Sequence, residues 1–407
     1  MTPLSQALAE VEARSRPLPA EEVPLAQAGG RVLAQAVAAA RDLPATDISM
    51  MDGYALRAAD AAGALRVVYE VAAGDAPPAE ALGTGEAARI FTGAPVPAGA
   101  DCVVMQEHAS RKGAELRIGP AHAPKSGQHV RSRGEEVRAG ATVLPAGRLL
   151  GAAELSLAAA CEAARVQVRR RPRIAILTTG DELVRLGQEP PPGKLVETNS
   201  HALAQLAREA GAEPLLLGIA KDSVEEIAGK LGSAEADVLV TTGGASVGDH
   251  DHAQAALERV GGKLIFHTVA IRPGKPVLFG TASRGRLVFG LPGNPAAAML
   301  GFELFVRLSL RILSGDPQPR RPRARAELRG GGLSRIPGLT FFPRGRASID
   351  QGRLVFTAGG QQSSMQISSW SAVNALAQIE PGEGKLNPGD PVEVLLLGPI
   401  AGSAPAQ

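Results

Sequence analysis

The sequence predicts an α/β plus β, multi-domain protein, built on a central doubly wound, mostly parallel sheet, with a β-rich inserted domain ahead of it and a small β-barrel domain at the C-terminus. Three textures predict it. From Pro172 to about Ser314, strand-like and helix-like runs alternate, and such alternation gives a parallel sheet with helices on both faces. Between Asp42 and about Ala139, Gly and Pro are frequent and the apolar runs are short, which is the pattern of a mostly β domain with long loops. Residues 323–397 are strand-like again, which suits a small barrel or sandwich. A chain of 407 residues exceeds what one core organises, so about two to four domains are expected.

The elements follow in order. Leu4, Ala7, Leu8 and Val11 share one face of a helix over residues 1–16, which Pro17 and Pro19 end. A second helix-like piece is GGRVLAQAV, residues 29–37. Short strands are expected at 66–71, 88–91, 102–106 and 115–118, then a helix over 152–164 and a strand over 164–168. The texture of 141–170 resembles that of 20–40, which makes the β-rich stretch an insertion. The expected division is therefore 21–41 with 140–170 as a discontinuous linker domain, 42–139 as the insert, 1–20 with 171–318 as the α/β domain, and 319–402 as the barrel. In the α/β domain the spacing predicts strands at 174–178, 215–219, 238–242, 264–269 and 287–290. Helices are predicted at 200–210, 223–231, 253–260 and 295–313, with Asn199 and Ser200 as N-caps and Gly211 as a C-terminal glycine. Strands at 324–328, 354–357, 375–379 and 392–397 complete the chain.

Composition narrows the function. The formal net charge is +2 and aromatics are only 3%, so nucleic acid is not an expected partner: neither a basic field nor stacking platforms are present. The clusters 169–173 and 320–325 are short, contain Pro and read as solvated linkers. No apolar stretch of ~20 residues is available to span a membrane, and the amphipathic N-terminus has no signal-peptide core. Cys102 and Cys161 stand alone in apolar runs without a CxxC spacing, as in a cytoplasmic protein with reduced thiols.

Chemistry concentrates where a parallel sheet binds ligands, beyond the carboxyl ends of its strands. Asp237 to Leu257, DVLVTTGGASVGDHDHAQAAL, reads as strand, glycine loop and acidic helix start. Alone it is equally a tight turn with an Asp cap or a loop that lets a phosphate approach the backbone. TTGDE (178–182), Lys221-Asp222, RPGKP (272–276) and LPGNP (291–295) follow the other predicted strands. Asp181, Glu182, Asp222, Asp249 and Asp251 are thereby expected to converge with Arg272 and Lys275. Any one of these loops is matched by a cap or a surface ion pair; five at five strand ends point to a site. Carboxylates without His or Cys suit Mg²⁺, which keeps waters and bridges to phosphate oxygens. Arg272 and Lys275 supply the charge an oxyanion needs, and Pro292 and Pro295 fix a turn before a helix. His250 and His252 flank Asp251 in alternate positions, a poor spacing for joint ligation. No Ser/His/Asp order or reactive Cys pattern supports covalent hydrolysis. A phosphate-bearing substrate with Mg²⁺ is the expectation, with positioning and electrostatics as the main catalytic terms.

Seven motifs then resemble one family in order along the chain: SMMDGYALR (49–57), FTGAPVPAGADCVVMQE (91–107), SGQHVRSRGEE (126–136), TTGDEL (178–183), TTGGASVGDHD (241–251), AIRPGKP (270–276) and GLPGNP (290–295). They are similar to the molybdopterin molybdenumtransferases, the MoeA family, which is related to the C-terminal domain of gephyrin. The resemblance implies a molybdopterin-binding-like α/β domain and an elongated homodimer with its site at the subunit interface. It implies Mg²⁺-dependent insertion of molybdenum from molybdate into adenylylated molybdopterin, with release of AMP. A molybdopterin adenylyltransferase would be the upstream partner. By position in the motifs, Asp52, Thr92, Glu136, Glu182, Asp222 and Asp251 match catalytic residues, with Glu182, Asp222 and Asp251 toward the metal. Gly243, Gly244, Ser246, Gly248, Arg272, Lys275, Pro292, Pro295, Arg344 and Ser364 match substrate-binding positions. Arg272 stands where a lysine is common, Glu136 where aspartate occurs, and Ser363 where a glycine usually precedes the serine. Two alternatives are adenylylation of molybdopterin from ATP, and a scaffold role like that of the animal relative.

Overall fold

The structure, a computed structural model, describes residues 1–244 and 252–402. It divides into two compact units. One comprises Met1–Glu21, Gly30–Ala34 and Val168–Gln407, the other Glu22–Gly29 and Gln35–Gln167.

The chain opens with α1 (Leu4–Arg14), which buries Leu4, Ala7 and Val11 on one face. It ends where Ser15 Oγ donates to Val11 O at 2.8 Å and the prolines begin. The helix expected over GGRVLAQAV is absent. The chain turns there instead, with Gly30 at φ 71°, and Val37–Ala38 forms a short strand paired with Thr142–Leu144. A glycine pair at the start and two β-branched valines outweigh the apolar spacing.

The smaller unit is built on a six-stranded sheet. Its strands are β1 (Gly53–Leu56), β2 (Leu65–Val71), β3 (Glu86–Ile90), β4 (Cys102–Met105), β5 (Ala109–Lys112) and β6 (Glu115–Ile118), in the order β4-β1-β3-β2-β6-β5. Side chains alternate across it. Tyr54, Leu56, Ala87, Cys102 and Val104 pack on one face, Ala55, Ala88, Ile90 and Val103 on the other. Burial pushes the Cys102 thiol up to about 12, so it remains an unreactive apolar filler. Gly53 is required: a Cβ there would lie 1.9 Å from Val104 O. The unit also holds α2 (Ala152–Ala160), which stops one turn before the expected end.

In the larger unit the central sheet has strands β7 (Arg173–Thr179), β8 (Glu213–Ala220), β9 (Val238–Thr242), β10 (Lys263–Thr268), β11 (Pro276–Thr281) and β12 (Leu287–Leu291). Their order is β8-β7-β9-β12-β11-β10. The pairs β7–β8, β7–β9 and β9–β12 are parallel, whereas β11 runs antiparallel to both β10 and β12. β11 was not expected from the sequence, because PVLFGT is short and follows a proline turn. Its reversal keeps the RPGKP turn on the edge where the parallel strands end.

Helices α3 (Asn199–Glu209), α4 (Val224–Ser233), α5 (His252–Arg259) and α6 (Pro295–Gly301) surround the sheet. Side chains of α1, α3 and α6 share a core with Ile174, Ile176, Val238, Val240, Phe279 and Phe289. Those of α4 and α5 cover Ala175, Leu177, Leu239, Leu278 and Val288. The odd–even split is the period of a sheet buried on both faces. After α6 the chain widens into a π-helical turn, Phe302–Val306, and resumes as α7 (Arg307–Leu313). Buried Glu303 in that turn accepts from Arg321 Nε and Nη2 at 2.8 and 2.9 Å, and Arg321 Nη1 donates to Leu397 O at 2.9 Å.

The C-terminal strands are β13 (Arg323–Arg329), β14 (Arg344–Asp350), β15 (Arg353–Ala358), β16 (Ala375–Gln378), β17 (Pro391–Leu396) and β18 (Ala401–Gly402). Five of them close as β15-β13-β17-β16-β14 through the β14–β15 pairing, and β18 adds to β14. The result is a small closed barrel around Ala326, Leu328, Ala347, Phe356 and Val394. β14 is the strand its charged sequence concealed. No helix among the described residues is long and apolar enough to cross a membrane.

Phe289 tests the central core. It is fully buried, with its ring 4.9 Å from that of Phe279. Phe289→Ala is expected to cost about 3–5 kcal/mol. Urea unfolding followed by the fluorescence of Trp370, which packs against the same core, should show the lowered midpoint.

Candidate active site

At the C-terminal edge of the central sheet lies an open cleft of about 630 Å³. Its floor is made by two glycine turns. Gly243 and Gly244, at φ 95° and 64°, follow β9, and Gly180 follows β7. A Cβ on Gly243 would lie 2.2 Å from Thr179 O, and one on Gly180 would lie 2.6 Å from Glu182 Oε2. The Gly243 turn therefore packs against the end of β7 closer than a side chain permits. The Thr179 hydroxyl is buried beneath them without a hydrogen-bond partner among the described residues.

One side is formed by the LPGNP turn, with Pro292, Gly293, Asn294 and Pro295 in the wall and Pro295 opening α6. Pro276 contributes from the start of β11, the strand beside β12, and Glu182 and Asp222, after β7 and β8, bring carboxylates to the other side of the cleft. The segment 195–199 and the exposed side chains Met365 and Ile367 complete the lining.

Asn199 ties these parts together. Its Nδ2 donates to Thr242 Oγ1 at 2.7 Å and to Gly293 O at 2.8 Å. Thr242 Oγ1 in turn donates to Pro292 O at 3.0 Å. The sequence marks Asn199 only as a helix cap. The cap is in fact served by Glu197, whose carboxylate accepts from Ser200 N at 2.7 Å and Ser200 Oγ at 2.5 Å. Glu197 and Asn199 were thus missed as cleft residues. The signal available was the polar run ETNS ahead of an amphipathic helix.

The other sequence-selected residues fall as follows. Arg272 and Lys275 lie on the turn between β10 and β11, both exposed and outside the cleft wall. The Arg272 guanidinium sits 5.9 Å from the centre of the Phe341 ring, and the Lys275 carbonyl accepts from Val269 N at 2.9 Å. Asp181 is exposed, and its carbonyl accepts from Lys194 Nζ at 2.5 Å. Ser364 borders the PGN turn: its hydroxyl accepts from Asn294 Nδ2 at 3.3 Å and its carbonyl from Ala296 N at 3.0 Å. Arg344 is 1% exposed. Its Nη2 donates to Ser363 O at 3.0 Å, Nε and Nη1 have no partner among the described residues, and burial lowers its pKa. Ser246, Gly248, Asp249, His250 and Asp251 lie outside the described residues.

Asp52, Thr92 and Glu136 belong to the smaller unit. Asp52 Oδ1 accepts from both Thr92 N and Thr92 Oγ1 at 2.8 Å. The Thr92 backbone bond first, and its hydroxyl second, hold the Asp52 carboxyl below the ordinary carboxylate value. Glu136 pairs with Arg131.

The donor set suits a hard cation. Glu182 and Asp222 offer oxygen ligands, with no His or Cys among the described residues of the wall, and both oxygens of Glu197 are already engaged by Ser200. One or two carboxylates plus substrate oxygens and water are what Mg²⁺ takes. Among the described residues no group of three or more His, Cys, Asp or Glu forms a ready cage.

A parallel sheet with glycine turns and carboxylates at its carboxyl edge, joined to a closed barrel and a β-rich unit, is shared with a definite class of proteins. Residues 2–161 match the MoeA N-terminal region (domain I and II), 175–312 a probable molybdopterin binding domain, and 332–397 the MoeA C-terminal region (domain IV). The molybdopterin molybdenumtransferase of Nostoc sp. is 39% identical over 93% of this chain and 88% of its own. That of Haemophilus influenzae is 33% identical over 93% and 94%. The crystal structure of the molybdopterin biosynthesis MoeA protein of Pyrococcus horikosii superposes with a TM-score of 0.84 at 30% identity, over 98% of this chain and all of that one. The class is thus the transferases of molybdenum-cofactor biosynthesis. The chain belongs to the molybdopterin molybdenumtransferase (MoeA) family.

Two predictions follow from the geometry. Thr92→Val removes one of the two bonds to Asp52, so the Asp52 carboxyl pKa should rise toward the ordinary value in a carboxyl NMR titration. The sign for stability is fixed by the depressed folded pKa: the contribution is present above the unfolded carboxyl pKa and is lost as pH falls through the folded one. Asn199→Ala breaks both loop ties and should loosen the cleft at a cost of about 1–3 kcal/mol. Faster amide exchange at Gly293 and Asn294 would report it.

Proposed function

We propose that this chain catalyses Mg²⁺-dependent insertion of molybdenum from molybdate into adenylylated molybdopterin, releasing AMP. The observation that carries the reading is the meeting of Glu182, Asp222, the Gly243-Gly244 turn and the PGNP turn in one cleft, within a chain whose relatives are named for this transfer. In this reading the glycine turns admit the phosphate ester close to the backbone, and Pro292 and Pro295 set a rigid wall for the flat pterin. Ser246 and Gly248 take part in substrate binding. Arg344 and Ser364, with Arg272 and Lys275 on the neighbouring turn, hold the oxyanion. Glu182, Asp222 and Asp251 hold Mg²⁺. Bound there, Mg²⁺ supplies charge neutralisation for the pyrophosphate oxygens as AMP leaves.

The reading extends to assembly. Asp52, Thr92 and Glu136 act from the β-rich domain of the second subunit of a homodimer, in the four-domain division 21–41 with 140–170, 42–139, 1–20 with 171–318, and 319–402. A molybdopterin adenylyltransferase supplies the substrate, and the protein works in the cytoplasm. Supporting this are the motif matches across the whole chain and the oxygen donors that Glu182 and Asp222 bring to the cleft.

The direct assay supplies purified protein with adenylylated molybdopterin, Mg²⁺ and molybdate. AMP and active cofactor are expected; AMP transfer from ATP to molybdopterin instead would replace this reading by the adenylyltransferase one. Asp222→Asn and Asp251→Asn should each lower turnover by about two orders of magnitude or more with unchanged circular dichroism. Wild-type turnover in either would remove that residue from the metal site.

A further inference from the structure

We propose that Arg89 is a positioning residue that presents Asp52 and Thr92 to the substrate, an inference that rests on the reading of those two residues given above. Arg89 lies on β3 directly opposite Tyr54 of β1. Asp52 ends the turn that enters β1, and Thr92 follows β3 by two residues. The two loops therefore leave neighbouring antiparallel strands at the same end, and one side chain grips both.

The grip has four points. The guanidinium carbon stands 5.2 Å from the centre of the Tyr54 ring and 4.6 Å from that of Phe91. Nη1 donates to Gly53 O at 2.9 Å and Nη2 to Gln106 Oε1 at 2.6 Å. Gln106 N donates to Asp52 O at 3.1 Å. Arg89 thus fixes the residue after Asp52, the residue before Thr92, and the glutamine that holds the Asp52 carbonyl. Between those anchors, Thr92 N and Oγ1 close on Asp52 Oδ1, so the second carboxylate oxygen is held at a set angle and left for another partner.

The chemistry requires arginine. A planar fork donates from separate nitrogens while its faces lie against aromatic rings, whereas a lysine ammonium donates from a single nitrogen and has no flat face to stack. Arg89 forms no ion pair among the described residues, so its fork is spent on geometry rather than on a carboxylate. Its charge adds to the lowering of the Asp52 carboxyl.

Arg89→Lys and Arg89→Met test this. Each is expected to lower kcat in the AMP-release assay by about tenfold to a hundredfold, the scale of a misplacement near 1 Å. The KM for molybdate should stay within about twofold, since no binding group is removed. In an Asp52→Asn background, Arg89→Met should cost little more, because residues acting through one another are not additive. Full multiplication of the two losses would show an independent structural role and overturn the proposal, as would wild-type kcat in Arg89→Lys. Should Arg89→Met fail to fold, Arg89→Lys alone decides on kcat. Amide exchange of Thr92 needs no turnover: it should accelerate in both variants, and unchanged exchange would overturn the proposal. A wild-type protein that releases no AMP sinks the transferase reading, while Thr92 exchange still decides on Arg89.

Discussion

The cleft depends on the two hydrogen bonds of the Asn199 amide. A parallel sheet by itself leaves its strand-end loops unconnected, since each belongs to a different crossover. Asn199 Nδ2, at 2.7 Å from Thr242 Oγ1 and 2.8 Å from Gly293 O, fastens the start of α3 to the end of β9 and to the turn before α6. Side-chain amides suit this task because they carry two donors in a plane. The Thr242 hydroxyl relays the tie to Pro292 O. Three crossovers thereby end at fixed distances, and the glycine turns of β7 and β9 can pack at contact without drifting apart.

The same economy governs the floor. Gly243 approaches Thr179 O so closely that a Cβ would stand 2.2 Å away. Any other residue would force the turn away from the end of β7. Glycine at this place costs chain entropy on folding, and the β7–β9 pairing offsets part of it. The floor is held from below by the paired strands β7 and β9, and it is permissive because its glycines carry no side chains.

Much of this was legible in the sequence, for identifiable reasons. Strands buried on both faces read as continuous apolar runs, so Ile174 to Thr178 and Val238 to Thr242 stood out, and the loops after them could be placed at one edge. β11 escaped because its six residues follow RPGKP, and a proline turn reads as the end of structure. β14 escaped because RGRASID alternates charge with small residues, and only barrel closure supplies a partner for it. Asn199 was visible as a polar residue before a helix, but its reach to Thr242 and Gly293 spans 43 and 94 residues of chain, which no local pattern encodes. Asp251 was selected by its motif and lies outside the described residues.

Two guanidinium groups, one half-buried and one buried, show how structure and chemistry divide the same residue type. Arg321 meets Glu303 with a bidentate fork and spends its remaining arm on Leu397 O. A charge so satisfied fastens the barrel to the π-helical turn and has nothing left to offer. Among the described residues Arg344, 1% exposed, makes one side-chain bond, to Ser363 O, and leaves Nε and Nη1 without a partner. An unpaired buried donor costs roughly 1–3 kcal/mol, and more when charged. The barrel around it could bury an apolar side chain instead at no such cost. In the proposed reaction that deficit has a use: donors already desolvated and held by the barrel wall need no reorganisation when an oxyanion arrives. The satisfied arginine is thus an element of the fold, and the unsatisfied one belongs with the proposed site.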